Sequence, residues 1–564
     1  MRLLEIPTLV ALAVAVPAAI PLAARWLRVA QREHYIPPWT TRVGWLWYRL
    51  RPVNLALLLV GLVLVALAVA SAPIDASAGW GGAPLAWAAG ATFGWLDLAT
   101  AAWLGVLAVV LAGILPIGLP VRGRSSKFAI TGRVKRLLVA WIVLVAVLAV
   151  GLGALLGAGG PALVLLAAAP VTDLALALTR PIEKAGQRTF LESARRRLGQ
   201  VRPTIVAITG SYGKTSTKNH VAQVLDGSFA VIASPASFNN LMGLSRAVNE
   251  RVAPGTEVFV AEMGVYGEGE IRELSRSFPP DIAAITTIGE AHLARMGSRA
   301  VILRAKSEIV ERASTVVLPI DEPELAALAE RCRAEGKRVV TVSAGPALGP
   351  DGTPVDPAVT AAARDADVVV DADAGTVTVR TATGRDEARV TLPPAGHAVN
   401  VAVTVGIATA LGVQLAAIAP RLGDLRGAAH RAELQYARPD GTGTAILDDT
   451  YNANPVGAAS AVRTAAALAA ERGGEFVVVT PGMIELGAVQ EQRNRALAAQ
   501  VAELGGHLVV VGLTNRAALV AGAADGPHPV VTVASREEGV RLALATAGER
   551  GVVLYENDLP DHYP

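Results

Sequence analysis

The stretch Ala207-Ile-Thr-Gly-Ser-Tyr-Gly-Lys-Thr-Ser-Thr-Lys218 continues the apolar run that starts at Thr204. An apolar run, a glycine-bracketed turn and a Lys-Thr pair predict a strand, a loop and a helix whose N–H groups cradle phosphate. Lys214 would reach terminal phosphates, and the Thr215 hydroxyl would bind Mg²⁺. The pattern is shorter than the common P-loop, because Ile208 stands where its first glycine would be. The stretch predicts a nucleoside triphosphate site, and a glycine turn without a ligand is the alternative.

The first 180 residues predict a membrane region. Hydrophobic residues make up 52% of the chain, and they concentrate here. A bilayer span needs about 20 mostly apolar residues. Five segments meet that description, the fifth being interrupted by Asp173: Pro7–Ala24, Val53–Ala72, Leu98–Leu119, Leu137–Leu156 and Pro161–Leu178. A cleaved signal peptide is disfavoured, because basic residues and further apolar segments follow the first one.

Basic residues predict the orientation of these segments. One group lies between the first and second segments: Arg25, Arg28, Arg32, Arg42, Arg49 and Arg51. Another lies between the third and fourth: Arg122, Arg124, Lys127, Arg133, Lys135 and Arg136. The positive-inside rule then places the N-terminus outside and everything after Arg180 in the cytoplasm, where ATP is found. A nucleic-acid partner is disfavoured, because the net charge is only +3 and the basic residues flank apolar segments.

From about Val201 the chain has the pattern of an α/β protein. Short apolar runs alternate with Ala-rich helical stretches, which predicts a mostly parallel sheet covered by helices on both faces. Ala366–Arg380 predicts an antiparallel hairpin. We expect a membrane region over residues 1–180, a basic linker over 181–202, a P-loop ATPase domain over 203–424 and a Rossmann-like domain over 425–564. The single cysteine, Cys332, excludes an intramolecular disulfide.

Three more residues follow predicted strands or lie near them. Glu262 ends the run Val258–Ala261, and a strand-end acid beside a phosphate loop is suited to hold Mg²⁺. His292 follows the next strand, Ile282–Thr286. Open α/β sheets bind ligands at the carboxyl ends of their strands, so we expect both near Lys214. Taken singly, Glu262 could be a solvated strand end, His292 a structural histidine and Lys306 a surface lysine.

The loop Asp448-Asp-Thr-Tyr-Asn-Ala-Asn-Pro455 opens the second α/β unit. Paired acids, asparagines and a proline after an apolar strand predict a polar turn at a strand end. A turn without chemistry is the alternative.

The order and spacing of these motifs resemble the Mur ligases, ATP-dependent amide-forming enzymes of peptidoglycan synthesis, and most closely the members that add D-alanyl-D-alanine to a UDP-N-acetylmuramoyl-tripeptide. The resemblance covers about Pro203 to Val511. It is carried by the phosphate loop and by these further motifs: Ser237-Phe-Asn-Asn240, Glu262-Met-Gly264, Gly289-Glu-Ala-His-Leu293, Ala305-Lys-Ser-Glu308, Asp448–Pro455 and Glu485-Leu-Gly487.

The resemblance implies roles for individual residues. Lys306 matches a lysine carbamylated by CO₂, and it would join Thr215, Glu262 and His292 around two Mg²⁺ sites. Lys214, His292, Lys306 and Asp449 would be catalytic. The nucleotide would contact Gly210, Ser211, Tyr212, Gly213, Lys214, Thr215, Ser216, Asn400, Arg431 and Asp449. The substrate would lie near Asn239, Asn240, Asn452 and Asn454.

The implied reaction passes through an acyl phosphate made from ATP, which an amine then attacks. The chain departs from the family in three places: no UDP-binding domain separates the membrane region from the ATPase, His397 stands where the family has asparagine, and the ending Leu554–Asp561 lacks the family's Lys-Gly. A lipid-linked precursor is therefore as plausible as a UDP-linked one. The alternatives are a membrane transporter ATPase, which lacks an ABC signature here, and a non-catalytic scaffold.

Overall fold

The computed structural model describes residues 6–70, 98–121, 128–235, 238–264, 266–344, 365–372, 374–382, 384–393, 397–426, 433–438, 440–451, 453–559 and 562–564. The chain divides into two compact units. The first consists of Met1–Gly186 with Leu559–Pro564, and the second consists of Gln187–Asp558.

The first unit is helical. Its helices are Ile6–Arg32, Trp39–Leu50, Pro52–Ala70, Leu98–Ile114, Gly132–Leu156, Gly159–Leu166 and the first half of Ala168–Val201. In the part of the chain that the structure describes, three helices are long and apolar enough to cross a bilayer: Ile6–Arg32, Pro52–Ala70 and Gly132–Leu156. A fourth is counted if the last two helices, which meet at a bend of 73°, form one broken span.

Two of the five predicted spans differ from a simple membrane helix. The third is a helix of 17 residues, Leu98–Ile114, which is shorter than the predicted segment. The fifth is broken near Ala167. Its Asp173 is paired: the carboxylate accepts hydrogen bonds from the Thr41 N–H at 2.8 Å and the Thr41 hydroxyl at 2.6 Å. An acid inside an apolar segment is thereby satisfied by polar groups from an earlier helix.

The last residues of the chain pack inside the first unit. His562 Nε2 lies 2.9 Å from Glu33 Oε1, and the Trp47 indole N–H donates to the His562 main-chain oxygen at 2.8 Å. His562 and Glu33 are almost fully buried. The C-terminal residues are thus part of the helical unit's core.

The second unit contains a nine-stranded sheet in the order β2-β3-β1-β4-β5-β6-β7-β8-β9. Its strands are β1 Thr204–Thr209, β2 Val231–Ala233, β3 Val258–Glu262, β4 Ile282–Ile285, β5 Thr315–Pro319, β6 Arg338–Ser343, β7 Val368–Asp371, β8 Thr376–Thr381 and β9 Gly384–Arg389. The strands are parallel except where β8 pairs antiparallel with β7 and β9, which confirms the predicted hairpin.

Helices cover both faces of this sheet. They are Lys214–Leu225, Leu241–Arg251, Glu270–Ser277, Leu293–Met296, Arg299–Ser307, Pro323–Ala334, Ala398–Ala410 and Leu415–Leu422, with a 3₁₀ turn at Glu308–Glu311. The central strands are apolar along their length because both of their faces are buried, in two separate cores.

A six-stranded sheet follows in the order β10-β11-β15-β12-β13-β14. Its strands are β10 Glu433–Tyr436, β11 Ala445–Asp449, β12 Phe476–Thr480, β13 His507–Val511, β14 Val531–Val533 and β15 Val552–Glu556. Only its edge strand β10 is antiparallel in the described pairs. The helices are Pro455–Arg472, Gln490–Glu503, Arg516–Gly522 and Arg536–Ala547, with a 3₁₀ turn at Gly487–Val489. The first unit, with helices long and apolar enough to cross a bilayer, and the α/β second unit together confirm the predicted fold class.

Candidate active site

The loop between β1 and the helix Lys214–Leu225 has the conformation that its glycines allow. Gly210 and Gly213 have φ values of 151° and 78°. A Cβ atom at Gly210 would lie 1.9 Å from Thr286 Oγ1, and one at Gly213 would lie 2.2 Å from Asn400 Oδ1. No side chain caps the N-terminus of the following helix. Its N–H groups are therefore suited to an anion.

The loop after β4 holds the phosphate loop in place. The Ser211 hydroxyl accepts a hydrogen bond from the Gly289 N–H at 2.8 Å, and the Tyr212 hydroxyl accepts one from the Glu290 N–H at 2.9 Å. Ser211 is buried, as is Ser216 in the first turns of the helix. The side chains of Ser211 and Tyr212 therefore fix the phosphate loop against the loop after β4.

Three adjacent strands bring the predicted residues to one edge of the sheet. β1 lies between β3 and β4, with Ile208 in register with Glu262 and Thr209 in register with Ile285. Because all three strands are parallel, the loops that follow them meet at their carboxyl ends. Lys214, Glu262, His292 and Lys306 are thereby brought into one region, as expected from the sequence.

Lys214 and Lys306 share one acceptor. Lys214 Nζ donates to the Gly210 main-chain oxygen at 2.8 Å, and Lys306 Nζ donates to the same oxygen at 3.0 Å. Lys306 is 1% exposed. Burial lowers its pKa well below the usual value, and the charge of Lys214 lowers it further. Burial and the charge of Lys214 therefore favour the neutral amine form of Lys306.

Glu262 is a buried carboxylate with basic and polar partners. It accepts hydrogen bonds from Lys218 Nζ and Asn239 Nδ2, both at 3.2 Å. Burial alone would raise its pKa, but Lys218, Lys214 and the hydrogen bonds from Asn239 and Thr215 outweigh burial and lower it. Lys218 was not among the residues predicted for the site, although it lies one helical turn after Lys214 and so faces the same side.

His292 is held by the second sheet's loops. Its Nδ1 lies 2.6 Å from Oε2 of Glu485, whose other oxygen accepts from Arg295. Burial lowers the pKa of His292. Burial would raise the pKa of Glu485, but the hydrogen bonds and charges of His292 and Arg295 lower it to about 2. Glu485 belongs to the Glu485-Leu-Gly487 motif, but no role was predicted for it from the sequence.

The residues present fit Mg²⁺ on a bound nucleotide. The described residues contain no group of three or more His, Cys, Asp or Glu side chains that could hold a metal. Mg²⁺ needs only one or two carboxylates when phosphates and water complete its shell. The Thr215 hydroxyl lies near enough to Glu262 to help lower its pKa, so the two oxygens are close together. A second site on His292 and Lys306 would require Lys306 to become an anion.

Four asparagines of the prediction differ in their surroundings. Asn239 holds Glu262, whereas Asn240 and Asn454 cap helices by accepting from Gly243 N and Gly457 N, both at 2.9 Å. Asn400 lies against the phosphate loop at Gly213. The capping contacts explain two of these residues structurally, and their substrate roles remain predictions. Asn452 and Arg431 lie outside the described residues.

Asp449 ends β11 beside a second acid. It is in register with Glu556, the last residue of β15. Glu556 is fully buried, and neither of its oxygens has a hydrogen-bond donor in the described part of the protein. Burial and the neighbouring Asp449 raise the pKa of Glu556 well above its usual value. Sequence analysis could not foresee this pair, because β15 joins the sheet more than 100 residues after β11.

A small cavity lies beside these loops. Its volume is about 20 Å³, and its lining includes Tyr212, His292, Asn454 and Glu485. A space of this size holds about one water molecule. Residues of the first sheet's loops and of the second sheet's loops thus line one enclosed space within the second unit.

Comparisons with known proteins agree with this geometry. Residues 208–408 match the family model described as Mur ligase middle domain, and residues 430–555 match the one described as Mur ligase, glutamate ligase domain. The chain is 32% identical over 306 residues to a UDP-N-acetylmuramoyl-tripeptide--D-alanyl-D-alanine ligase from Mycobacterium leprae (strain TN), covering 54% of this chain and 56% of that one. The chain therefore spans about half the length of this relative.

Solved structures show the same fold. MurF from Acinetobacter baumannii superposes with a TM-score of 0.52 at 25% identity, over 66% of this chain and 77% of that one. MurF ligase from Thermotoga maritima in complex with ADP also gives a TM-score of 0.52, at 22% identity, over 66% of this chain and 80% of that one. At 22% identity, the similarity to the T. maritima ligase shows the fold alone.

Proposed function

The chain belongs to the Mur ligase family through residues 208–408 and 430–555, and on that premise we propose that it is an ATP-dependent ligase that forms an amide bond on a cell-wall precursor. The observation that carries the proposal is the convergence of Lys214, Glu262 and Lys306 on the phosphate loop. A buried lysine is usually paired with an acid, whereas Lys306 lies beside Lys214 on the Gly210 main-chain oxygen.

The proposed reaction has two steps. A carboxylate of the precursor attacks the γ-phosphate of ATP, the bond from that phosphorus to the bridging oxygen breaks, and ADP leaves. The amine of the second substrate then attacks the acyl carbon, loses a proton, and phosphate leaves. Phosphoryl transfer depends on positioning and charge neutralisation, which Lys214 and the N–H groups of the loop supply. Mg²⁺ held by Glu262 and Thr215 would neutralise phosphate charge.

The finer part of the proposal concerns Lys306. A neutral amine can attack CO₂, and the product, after loss of a proton, is a carbamate anion. The depressed pKa of Lys306 favours that neutral form. A carbamate would turn Lys306 into an anionic group whose oxygens could bind a second Mg²⁺ together with His292. Without that modification Lys306 supplies no oxygen ligand, the kind that Mg²⁺ prefers.

For the substrates we propose D-alanyl-D-alanine or a similar amine, and a muramoyl-peptide acid carried on UDP or on a lipid. The name of the M. leprae relative supports D-alanyl-D-alanine as the amine and UDP as the carrier. The apolar helices support a lipid carrier. We further propose a multi-pass cell-membrane protein with its N-terminus outside and the second unit in the cytoplasm, supported by three spanning-length helices and the basic loops.

Phosphate release by the detergent-solubilised protein tests this function. ATP and Mg²⁺ would be supplied with UDP-linked and lipid-linked muramoyl-tripeptides, each with and without D-alanyl-D-alanine, and Lys214→Ala would be the blank. Release that requires both acid and amine, with a product of the amide's mass, is the expected result. Turnover indifferent to every acid and amine would contradict ligase function and favour transport. Nucleotide binding without turnover under every condition would favour a scaffold.

A further inference from the structure

Glu485 makes an unusually complete set of contacts with the loop that carries His292. Its Oε2 lies 2.6 Å from His292 Nδ1. Its Oε1 accepts from Arg295 Nε at 3.0 Å and from Arg295 Nη2 at 2.6 Å. The Glu485 main-chain oxygen accepts from the Ala294 N–H at 3.0 Å. Each carboxylate oxygen therefore has its own partner, and the side chain has one orientation.

Both partners have left-handed backbones. The φ values are 62° at His292 and 64° at Glu485. Residues other than glycine adopt this region at a cost of roughly 1 kcal/mol or more each. Such strain persists where surrounding contacts fix it, and it is concentrated at functional sites. The two loops are therefore built around this contact.

The chemistry of the contact decides which ring nitrogen carries the proton. An ionised carboxylate only accepts hydrogen bonds, so His292 Nδ1 must donate. In a neutral imidazole Nε2 then keeps its lone pair. Among the described residues Nε2 has no hydrogen-bond partner. The ring also lies close enough to Lys214 and Lys306 for their charges to act on it.

We propose that Glu485 is a positioning residue: it fixes His292 as the tautomer with its proton on Nδ1, so that Nε2 is available to the nucleotide side of the site. Glu485 follows β12 of the second sheet, whereas His292 follows β4 of the first. The correct tautomer is therefore supplied only while the two loops are in contact. Carboxylate partners of metal-binding histidines act in this way. The role of Nε2 towards a bound Mg²⁺-nucleotide rests on the proposed function. The tautomer of His292 does not depend on that function.

The competing explanation is that Glu485 only clasps the two loops together. A neighbouring ion pair offers a matched comparison. Arg493 donates to Glu290 at 2.7 and 2.9 Å, again joining a loop of the first sheet to the second sheet's domain. Its side chains are about as buried as those of His292 and Glu485. Glu290→Gln would weaken the contact between the two domains' loops without changing the hydrogen bond of the His292 imidazole.

Glu485→Gln gives a sharp test because Arg295 orients the new amide. The guanidinium only donates, so the amide oxygen would stay on Arg295 and the NH₂ group would face His292 Nδ1. Nδ1 must then accept, and the proton moves to Nε2. Two-bond ¹H–¹⁵N correlation spectra of the full-length, [¹⁵N]histidine-labelled protein in detergent, without nucleotide or metal, would report the tautomer. His292→Gln would identify the signal.

The expected result is the Nδ1–H tautomer in the unmodified protein and in Glu290→Gln, and the Nε2–H tautomer in Glu485→Gln. If turnover is established, the Mg²⁺ concentration for half-maximal rate should rise about 10- to 100-fold in Glu485→Gln and little in Glu290→Gln. An Nε2–H tautomer in the unmodified protein would overturn the proposal. So would equal losses in both variants with unchanged tautomers. If the Nδ1–H tautomer is found in a protein that shows no turnover, the tautomer proposal stands and the proposed function fails.

Discussion

Lys214 and Lys306 donate hydrogen bonds to the same main-chain oxygen, that of Gly210. Two ammonium groups on one carbonyl would repel each other in a buried site. Lys306 is the more buried of the two, and its pKa is lowered well below the usual range by burial and by Lys214. The phosphate loop thus holds two lysines side by side, and in Lys306 the lowered pKa favours the uncharged amine, the form that can act as a nucleophile.

The first prediction concerns Lys306. Lys306→Ala should reduce turnover on the order of 10²- to 10³-fold, the effect of removing one positioned group that stabilises charge in a transition state. Short carboxylates such as acetate should restore part of the rate, because they can occupy the space of a carbamate. Intact-protein mass spectrometry after trapping the carbamate should find one added CO₂ on the unmodified protein and none on the variant.

The control is Lys337, another lysine whose Nζ donates to main-chain oxygens, including that of Val310 at 2.7 Å. It lies away from the phosphate loop, so Lys337→Ala should retain turnover. Full activity in Lys306→Ala, or failure of every short carboxylate to restore any rate, would contradict a carbamate at Lys306.

The second prediction concerns the phosphate loop's glycines. Gly213→Ala would place a methyl group 2.2 Å from Asn400 Oδ1 at a φ of 78°. We expect binding of a fluorescent ATP analogue to weaken at least about tenfold, since the loop and Asn400 must both shift. Gly336→Ala has nearly the same φ, 77°, with no atom within 4 Å. It should cost stability of about 1 kcal/mol and leave nucleotide binding unchanged. Equal effects of the two substitutions would show that backbone strain alone matters.

The site's outline was predictable from sequence, but its internal pairing was not. Glycines, apolar runs and strand-end polar residues are local signals, and parallel strands bring the loops after them to one edge. Lys218 was also predictable, because its helical spacing from Lys214 is a local signal. Glu485 contacts His292 across 193 residues of sequence, and Glu556 lies beside Asp449 because β15 inserts between β11 and β12. Similarly, Asp173 interrupts an apolar segment of the sequence. Its pairing with Thr41 was not predictable, because Thr41 lies 132 residues earlier.

The third prediction concerns the buried pair of Lys218 and Glu262, whose side chains are 1% and 3% exposed. Lys218→Met should destabilise the second unit by about 3–5 kcal/mol, because a buried carboxylate is left without its main cation. Thermal unfolding in detergent would measure the loss. Adding Glu262→Gln should recover most of it, as the charge is then gone. A double variant no more stable than Lys218→Met would indicate that packing, not charge, explains the loss.

The fourth prediction concerns topology. Cys332 is buried, so its replacement by Ala yields a background for single-cysteine labelling. In that background Ser77→Cys should react with a membrane-impermeant maleimide on intact cells, and Ser125→Cys should react only after lysis. The reason is that Ser77 belongs to a stretch of sequence without Lys or Arg, and Ser125 lies between basic residues of the sequence. The reverse labelling pattern would place the second unit outside the cell and contradict use of cytoplasmic ATP.

The fifth prediction concerns Glu556, whose raised pKa has a definite sign for stability. Folded Glu556 keeps its proton well above the pH at which the unfolded chain releases it. Between those two pKa values the folded state binds more protons, so its contribution to stability falls as pH rises, by up to about 1.4 kcal/mol per pH unit. Glu556→Gln removes this penalty, because the amide carries no ionisable proton. Its melting temperature should match that of the unmodified protein near pH 4 and exceed it increasingly towards pH 8. The exposed Glu503→Gln should show no such divergence. A melting temperature that falls in Glu556→Gln at pH 8 would mean instead that an ionised Glu556 stabilises this edge of the sheet.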